Sequence, residues 1–303
     1  MSENQNLILN RKDTGRYLMK IKLYSAPVIS LKENATIDSV LLKMQLNNIR
    51  TVLITSEKKP RGIVTETDIV KFLEDDKTNR ALDEIPVTEI MKEKVISITD
   101  EQQDHLNQCS QRMEIFKIGS IIITDEDGVA RGITTKTDIT SAFSVMYRGK
   151  CKVKEYMSKN VVTCRKSDSI QYALNMINKN GISRLIVTDQ FGNPTGLITR
   201  NTFLRYANNI KKSSKKALDY WNPTDLDIAL PIEKLLDQDV LVLNLEDDLA
   251  EAAKLMVKNL VGGIPVINNE RKLVGIVTKS DVVRAFSEVE SNSQLLEKYK
   301  QTH

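Results

Sequence analysis

No apolar run in this 303-residue chain approaches twenty residues, the length a helix needs to cross a bilayer, so no membrane span is expected. Cysteine is scarce too. Cys109, Cys151 and Cys164 form no CxxC pair and no metal-ligand spacing, and an odd, sparse count fits a reducing interior. The opening residues, MSENQNLILNRKD, lack the apolar core of a signal peptide, and the expected location is cytoplasmic. Histidine is limited to His105 and His303, neither placed for catalysis or metal binding. The sequence holds no Ser/His/Asp set, activated cysteine, metal cluster or phosphate-cradling P-loop, so it does not read as an enzyme.

What is present is an ordinary globular composition, with 41% hydrophobic and 28% charged residues. The length suffices for two domains with full cores. A net charge of +4 says little about partners. The local exception is 205-RYANNIKKSSKK-216. It reads either as a solvated helix end and linker or as a phosphate or nucleic-acid contact, with Tyr220 and Trp221 as stacking candidates.

The chain repeats itself four times. The stretch 62-GIVTETDIV-70 returns as 132-GITTKTDIT-140, 196-GLITRNTFL-204 and 275-GIVTKSDVV-283. Each unit opens on an apolar run (28-VISL, 95-VISI, 161-VVTC, 240-VLVL), and a second run follows (51-TVLIT, 120-SIIIT, 184-RLIVT, 263-GIPVI). Between the two lies helical spacing. Ile37, Val40, Leu41 and Met44 share one face, as do Leu106, Cys109, Ser110 and Met113; Ile170, Ala173, Leu174 and Ile177; and Leu249, Ala252, Ala253 and Met256. This assigns Cys109 to the core and sets His105 beside the stripe. Turn-rich segments such as 125-DEDG and 189-DQFGNP predict a hairpin, and a second helix follows each threonine. Each unit therefore reads strand–helix–strand–strand–helix, its first pairing parallel and its second antiparallel. One unit of about 55 residues is marginal alone. The long break near 206–228 divides the four into units one plus two and three plus four.

These strands, helices and glycine-to-aspartate motifs resemble the cystathionine-beta-synthase (CBS) domain family, over about residues 18 to 288. The resemblance implies an α/β (α+β) fold of four β-α-β-β-α units, paired into two tandem modules packed as a disc. The expected division is 18–78, 84–147, 150–208 and 229–288, with a basic linker at 209–228 and a tail at 289–303. It also implies clefts that take adenosine-containing ligands such as AMP, ADP, ATP or S-adenosylmethionine.

A threonine followed three residues later by an acid is a capping-box pattern. Thr65 with Asp68, Thr135 with Asp138, and Thr278 with Asp281 satisfy it. A box favours Glu or Gln, however, and all three use Asp. A carboxylate also suits a ribose diol, and a hydroxyl beside helix-start amides suits phosphate. The resemblance implies that division, with Asp68, Asp138 and Asp281 on ribose, Thr65, Thr135 and Thr278 near phosphate, and Thr67, Thr137 and Ser280 as further hydroxyls. The third unit departs from the pattern. It reads 199-TRNT-202, so its site is expected to be weak, empty or used through Arg200, with Thr199 a cap or phosphate contact. Arg50 and Arg184 enter the second strands where a guanidinium can meet phosphate, or else are surface arginines; Lys117 is a weaker candidate.

The leading expectation is a regulatory sensor of adenine nucleotides acting by population shift, with no catalytic cofactor. Its output would pass to an unidentified target protein or a homodimer. The alternatives are a nucleic-acid-binding regulator using 209–216, an S-adenosylmethionine-binding module, and a scaffold of empty modules. The lead, with Leu7 and Ile8, is expected to be partly ordered, and 287–303 an exposed helix or frayed end.

Overall fold

The computed structural model describes residues 25–75, 80–100, 104–199, 202, 229–236 and 240–302. Arg200, the basic 205–216 segment, Tyr220, Trp221 and the first 24 residues lie outside the described residues. Unit one comprises β1 (Ser30–Lys32), α1 (Ile37–Asn47), β2 (Thr51–Ser56), β3 (Lys59–Thr65) and α2 (Glu66–Asp75). Unit two comprises β4 (Ser97–Thr99), α3 (His105–Phe116), β5 (Ser120–Thr124), β6 (Ala130–Thr135) and α4 (Lys136–Met146). A short helix, α5 (Val153–Tyr156), leads into unit three, with β7 (Thr163–Arg165), α6 (Ile170–Lys179), β8 (Arg184–Thr188) and β9 (Pro194–Thr199). Unit four comprises β10 (Leu243–Asn244), α7 (Leu249–Lys258), β11 (Gly263–Ile267), β12 (Leu273–Thr278) and α8 (Lys279–Thr302).

Every sheet has the order first–second–third strand. The first pair is parallel because a helix crosses over between its strands, and the hairpin is antiparallel. Each hairpin carries a register shift at the same place, leaving Arg61, Arg131, Thr195 and Val274 without a paired residue. The unpaired residue directly precedes the repeated glycine, a β-bulge in every copy.

That glycine marks a crossing of chains. The residues leading into each unit lie on the third strand of its pair-mate, as the bridges Ile63↔Lys92, Ala26↔Ile133 and Ser158↔Ile276 record. A Cβ on Gly62 would sit 2.5 Å from Met91 Sδ, on Gly196 2.5 Å from Leu236 Cδ2, and on Gly275 2.8 Å from both Met157 Sδ and the Ser158 carbonyl oxygen. Units one and two exchange leaders, and so do units three and four. That exchange, rather than the length of the break at 206–228, fixes the pairing.

The helical stripes lie buried as their spacing predicts, Leu41 and Leu174 being only partly so. Units one and three have cores of their own, each closed by the leader of the next unit through Val87 or Ile232. Units two and four share one core that includes Met113, Phe143, Met256 and Phe286. There α3 and α4 pack against α7 and α8, joining the two modules. Enclosed on its sheet face and by α8, α3 also buries His105 and Asn107, which its single stripe does not predict. The start of the tail is likewise not a free end. Tyr147, tilted against Phe143 and edge-on to Phe286, donates to Glu290. Tyr156 donates to Glu288 at 3.0 Å, and Gln111 reaches Ser291. Among the described residues no helix is long and apolar enough to cross a membrane.

Candidate functional site

The four repeated turns stand where a third strand ends and a helix begins, so the free amides of a helix start face the threonine. In unit one the Thr65 backbone N–H donates to Asp68 Oδ2 at 2.9 Å, the Thr65 hydroxyl donates to the same oxygen, and the Asp68 N–H returns to Thr65 Oγ1 at 3.3 Å. Unit two repeats this with Thr135 and Asp138 at 2.7 and 2.6 Å. In unit four the Thr278 N–H and hydroxyl donate to Asp281 Oδ2 at 2.8 and 2.7 Å. These are capping boxes in which a short aspartate does the work of the usual glutamate.

The box occupies one carboxylate oxygen and leaves the other. Asp68 Oδ1 lies 2.6 Å from Lys92 Nζ, a residue of the exchanged leader. Asp281 Oδ1 lies 3.4 Å from Arg284, which donates to the Tyr156 carbonyl on another leader and sits over the Tyr156 ring. Among the described residues no cation pairs with Asp138 Oδ1. The second oxygens of Asp68 and Asp281 thus face the seam between paired units. Burial pushes the Asp281 carboxyl up, against the pull of Thr278 and Arg284. In unit three Thr202 Oγ1 takes over the cap, accepting from the Thr199 N–H at 3.1 Å and lying 3.3 Å from Thr199 Oγ1. A hydroxyl has no second oxygen to offer, so this turn is closed on itself.

The basic side chains divide by position. Arg50 is exposed and 3.7 Å from Glu66, whose carboxyl burial raises although Arg50 opposes it. Lys117 turns back onto its own helix, 2.6 Å from Glu114. Arg184 crosses from unit three onto Gly262 and Gly263 of unit four, where a side chain on Gly262 would overlap its guanidinium. Its Nη1 donates to Ser183 Oγ at 3.0 Å, while its buried Nε has no hydrogen-bond partner among the described residues. Thr67 is exposed at the start of α2. Thr137 and Ser280 take part in a cross-unit exchange: Lys136 Nζ donates to Ser280 Oγ at 2.8 Å, and Lys279 Nζ donates to Thr137 Oγ1 at 2.9 Å. Sequence reasoning passed over both lysines. The available signal was their shared offset, four residues past the repeated glycine in units two and four, where unit one has Glu66.

Burial lowers the proton affinity of Lys136, Lys279 and Arg184, and their positive neighbours lower it further. Arg184 acts on both lysines, and Arg50 acts on Arg184 and Lys279. The turns of units two and four and the strand entrances of units one and three therefore meet in one cationic centre. Elsewhere the chemistry is quiet. Burial pushes the thiols of Cys109 and Cys164 up to about 12, and no metal-holding cluster occurs among the described residues. A hollow of about 310 Å³ lined by Thr163, Arg165, Asp168 and Asp189 lies at the end of the unit-three sheet away from its turn.

Four sheet-and-helix units, joined in two leader-exchanged pairs and carrying repeated turns at their seams, define a tandem-module repeat protein. The CBS domain matches residues 21–75, 87–145, 153–209 and 232–288, and the chain belongs to the CBS domain family. It is similar to protein MJ1225 of Methanocaldococcus jannaschii, 23% identical over 276 residues that cover 86% of this chain and 95% of that one. It is 33% identical over 134 residues to the CBS domain-containing protein DDB_G0289609 of Dictyostelium discoideum, covering 44% of this chain and 90% of that one. The crystal structure of MJ1225, described as a candidate archaeal homologue of g-AMPK, matches with a TM-score of 0.72 at 22% identity, over 88% of this chain and all of that one. An uncharacterized conserved protein from Pyrococcus horikoshii matches at 0.62 and 20%, again over 88% and 100%. At these identities the solved structures establish the fold.

Proposed function

We propose that this protein is a regulatory sensor of adenine nucleotides (AMP, ADP or ATP) with ligand turns in units one, two and four and a silent turn in unit three. The observation that carries the reading is the division of labour within each aspartate. One oxygen of Asp68, Asp138 or Asp281 holds the helix start, and the other is outside the cap, beside Lys92 for Asp68 and Arg284 for Asp281, where a ribose hydroxyl can donate to it. The threonine hydroxyls and helix-start amides then face phosphate. Arg50, Arg184 and the two lysines supply the charge that distinguishes phosphate number. A ligand seated on a seam touches both members of a pair, so its binding favours one relative arrangement of the modules. The output passes to a partner protein or to a second copy of the chain.

The test is calorimetric titration with AMP, ADP, ATP and S-adenosylmethionine. It compares the wild type with triple variants carrying Asp→Ala or Asp→Asn at 68, 138 and 281. Asn keeps an acceptor for the cap, so it separates lost charge from lost helix start. The expected result is wild-type binding that the folded Asn variant loses. Absence of binding by folded wild type overturns the reading, and preference for S-adenosylmethionine over all three nucleotides replaces the ligand.

A further inference from the structure

Lys136 and Lys279 occupy the first turns of α4 and α8, yet neither ammonium serves its own turn. Each spans the junction between modules to the hydroxyl beside the opposite aspartate, Lys136 to Ser280 and Lys279 to Thr137. The two contacts are the same contact made twice in opposite directions. They join positions 144 and 142 residues apart, and they sit at one edge of the shared core of units two and four. Arg184, packed on Gly262 and Gly263 of unit four with its buried Nε lacking a partner among the described residues, is close enough to act on the charge of both lysines.

From this geometry we infer that the turns of units two and four are not independent sites but one two-headed anion site. The phosphate at either turn draws on the lysine of the opposite unit and on the same Arg184. This rests on the nucleotide reading above and adds the rule by which two of its sites communicate. The sign follows from charge. A first phosphate partly neutralises cations that the second must also use, so filling either turn weakens the other. The two lysines are only partly buried and their contacts lie at the surface, so salt screens the effect. The unit-one aspartate pairs with Lys92 rather than with this centre, so its turn can be silenced separately in the test.

The experiment uses the full chain with Asp68→Asn to silence unit one, titrated with AMP and, separately, with adenosine. Adding Asp138→Asn or Asp281→Asn gives the two single-site association constants. Their product is compared with the product of the stepwise constants of the two-site protein. For AMP the two-site product is expected to fall below the product of single-site constants by roughly fivefold or more, the lower range of usual site–site couplings. The deficit should shrink in high salt and should vanish with adenosine, which lacks phosphate. Lys136→Gln with Lys279→Gln should reduce the deficit towards one, and arginine at both positions should restore it. Equal products with AMP, or a two-site product above the single-site product, overturn the inference and leave the nucleotide reading intact. A deficit equally large with adenosine overturns the shared-charge cause. No AMP binding at either turn overturns both readings.

Discussion

At the scale of single residues the informative contrast is between Asp281 and Thr202, which hold the same place in their units. Both cap a helix, but only the carboxylate has an oxygen left over. Thr202→Asp should therefore gain on two counts. An aspartate at this position accepts from the Thr199 amide and hydroxyl and complements the helix start, stabilising the protein by roughly 0.5–1 kcal/mol in urea unfolding. In the nucleotide titration it should raise the stoichiometry by one. His105 gives a second residue-level prediction. Burial pushes its imidazole from the usual 6.5 down to about 4, so the folded state prefers it neutral. Above pH ~6.5 both states are neutral and its contribution is constant. As pH falls from there to about 4, the unfolded chain takes up a proton that the folded one refuses. Stability should drop by roughly 3 kcal/mol over that window and then level off. Urea midpoints of wild type and His105→Leu at pH 7, 5.5 and 4.5 isolate this part of the slope. The threonine–acid turns were legible in the sequence because the cap they form is local. The lysine exchange was not, because it depends on which helix faces face each other, and nothing within one repeat states that.

At the scale of elements, the repeated glycine looked like part of the threonine–aspartate motif, and the structure gives it separate work. It follows a bulge and lies under a segment from the pair-mate. The cost of a side chain there depends on what covers it. At Gly62 the obstacle is the flexible Met91 side chain, whereas at Gly275 it includes the Ser158 carbonyl oxygen, which cannot move without its strand bridge. Gly275→Ala should therefore destabilise by about 1–3 kcal/mol, the usual range for overpacking, and Gly62→Ala by clearly less. Met91→Ala should relieve Gly62→Ala, while no single side-chain truncation relieves Gly275→Ala; thermal denaturation of the variants measures both. Strand order and helix spacing were readable because each rests on a period within about ten residues. The leader exchange was not, since bridges such as Ala26↔Ile133 join positions more than a hundred residues apart.

At the scale of the whole molecule, the two modules meet through the helices of units two and four, with Phe286 fully buried among Phe143, Tyr147 and their neighbours. Phe286→Ala should cost about 3–5 kcal/mol at that junction. Because each module keeps its own leader exchange, the loss should fall on their union rather than on either alone. The expected calorimetric signature is one unfolding transition in the wild type and two in the variant. Sequence periodicity showed that α3 has an apolar face. It did not show that α3 is enclosed on a second side, and so it set His105 beside the stripe; it read 287–303 as an exposed helix or frayed end, and the helix is there but its residues 288–291 are held by side-chain contacts.

The shared core also sets a timetable for synthesis. When residue 146 has left the ribosome, the first module has both leaders and every strand it needs, yet the apolar faces of α3 and α4 await partners that end near Phe286. Elongation at roughly 5–20 residues per second leaves that surface uncovered for on the order of ten to thirty seconds. A nascent chain halted in this interval has its leaders exchanged but only half of the core that unit two shares with unit four.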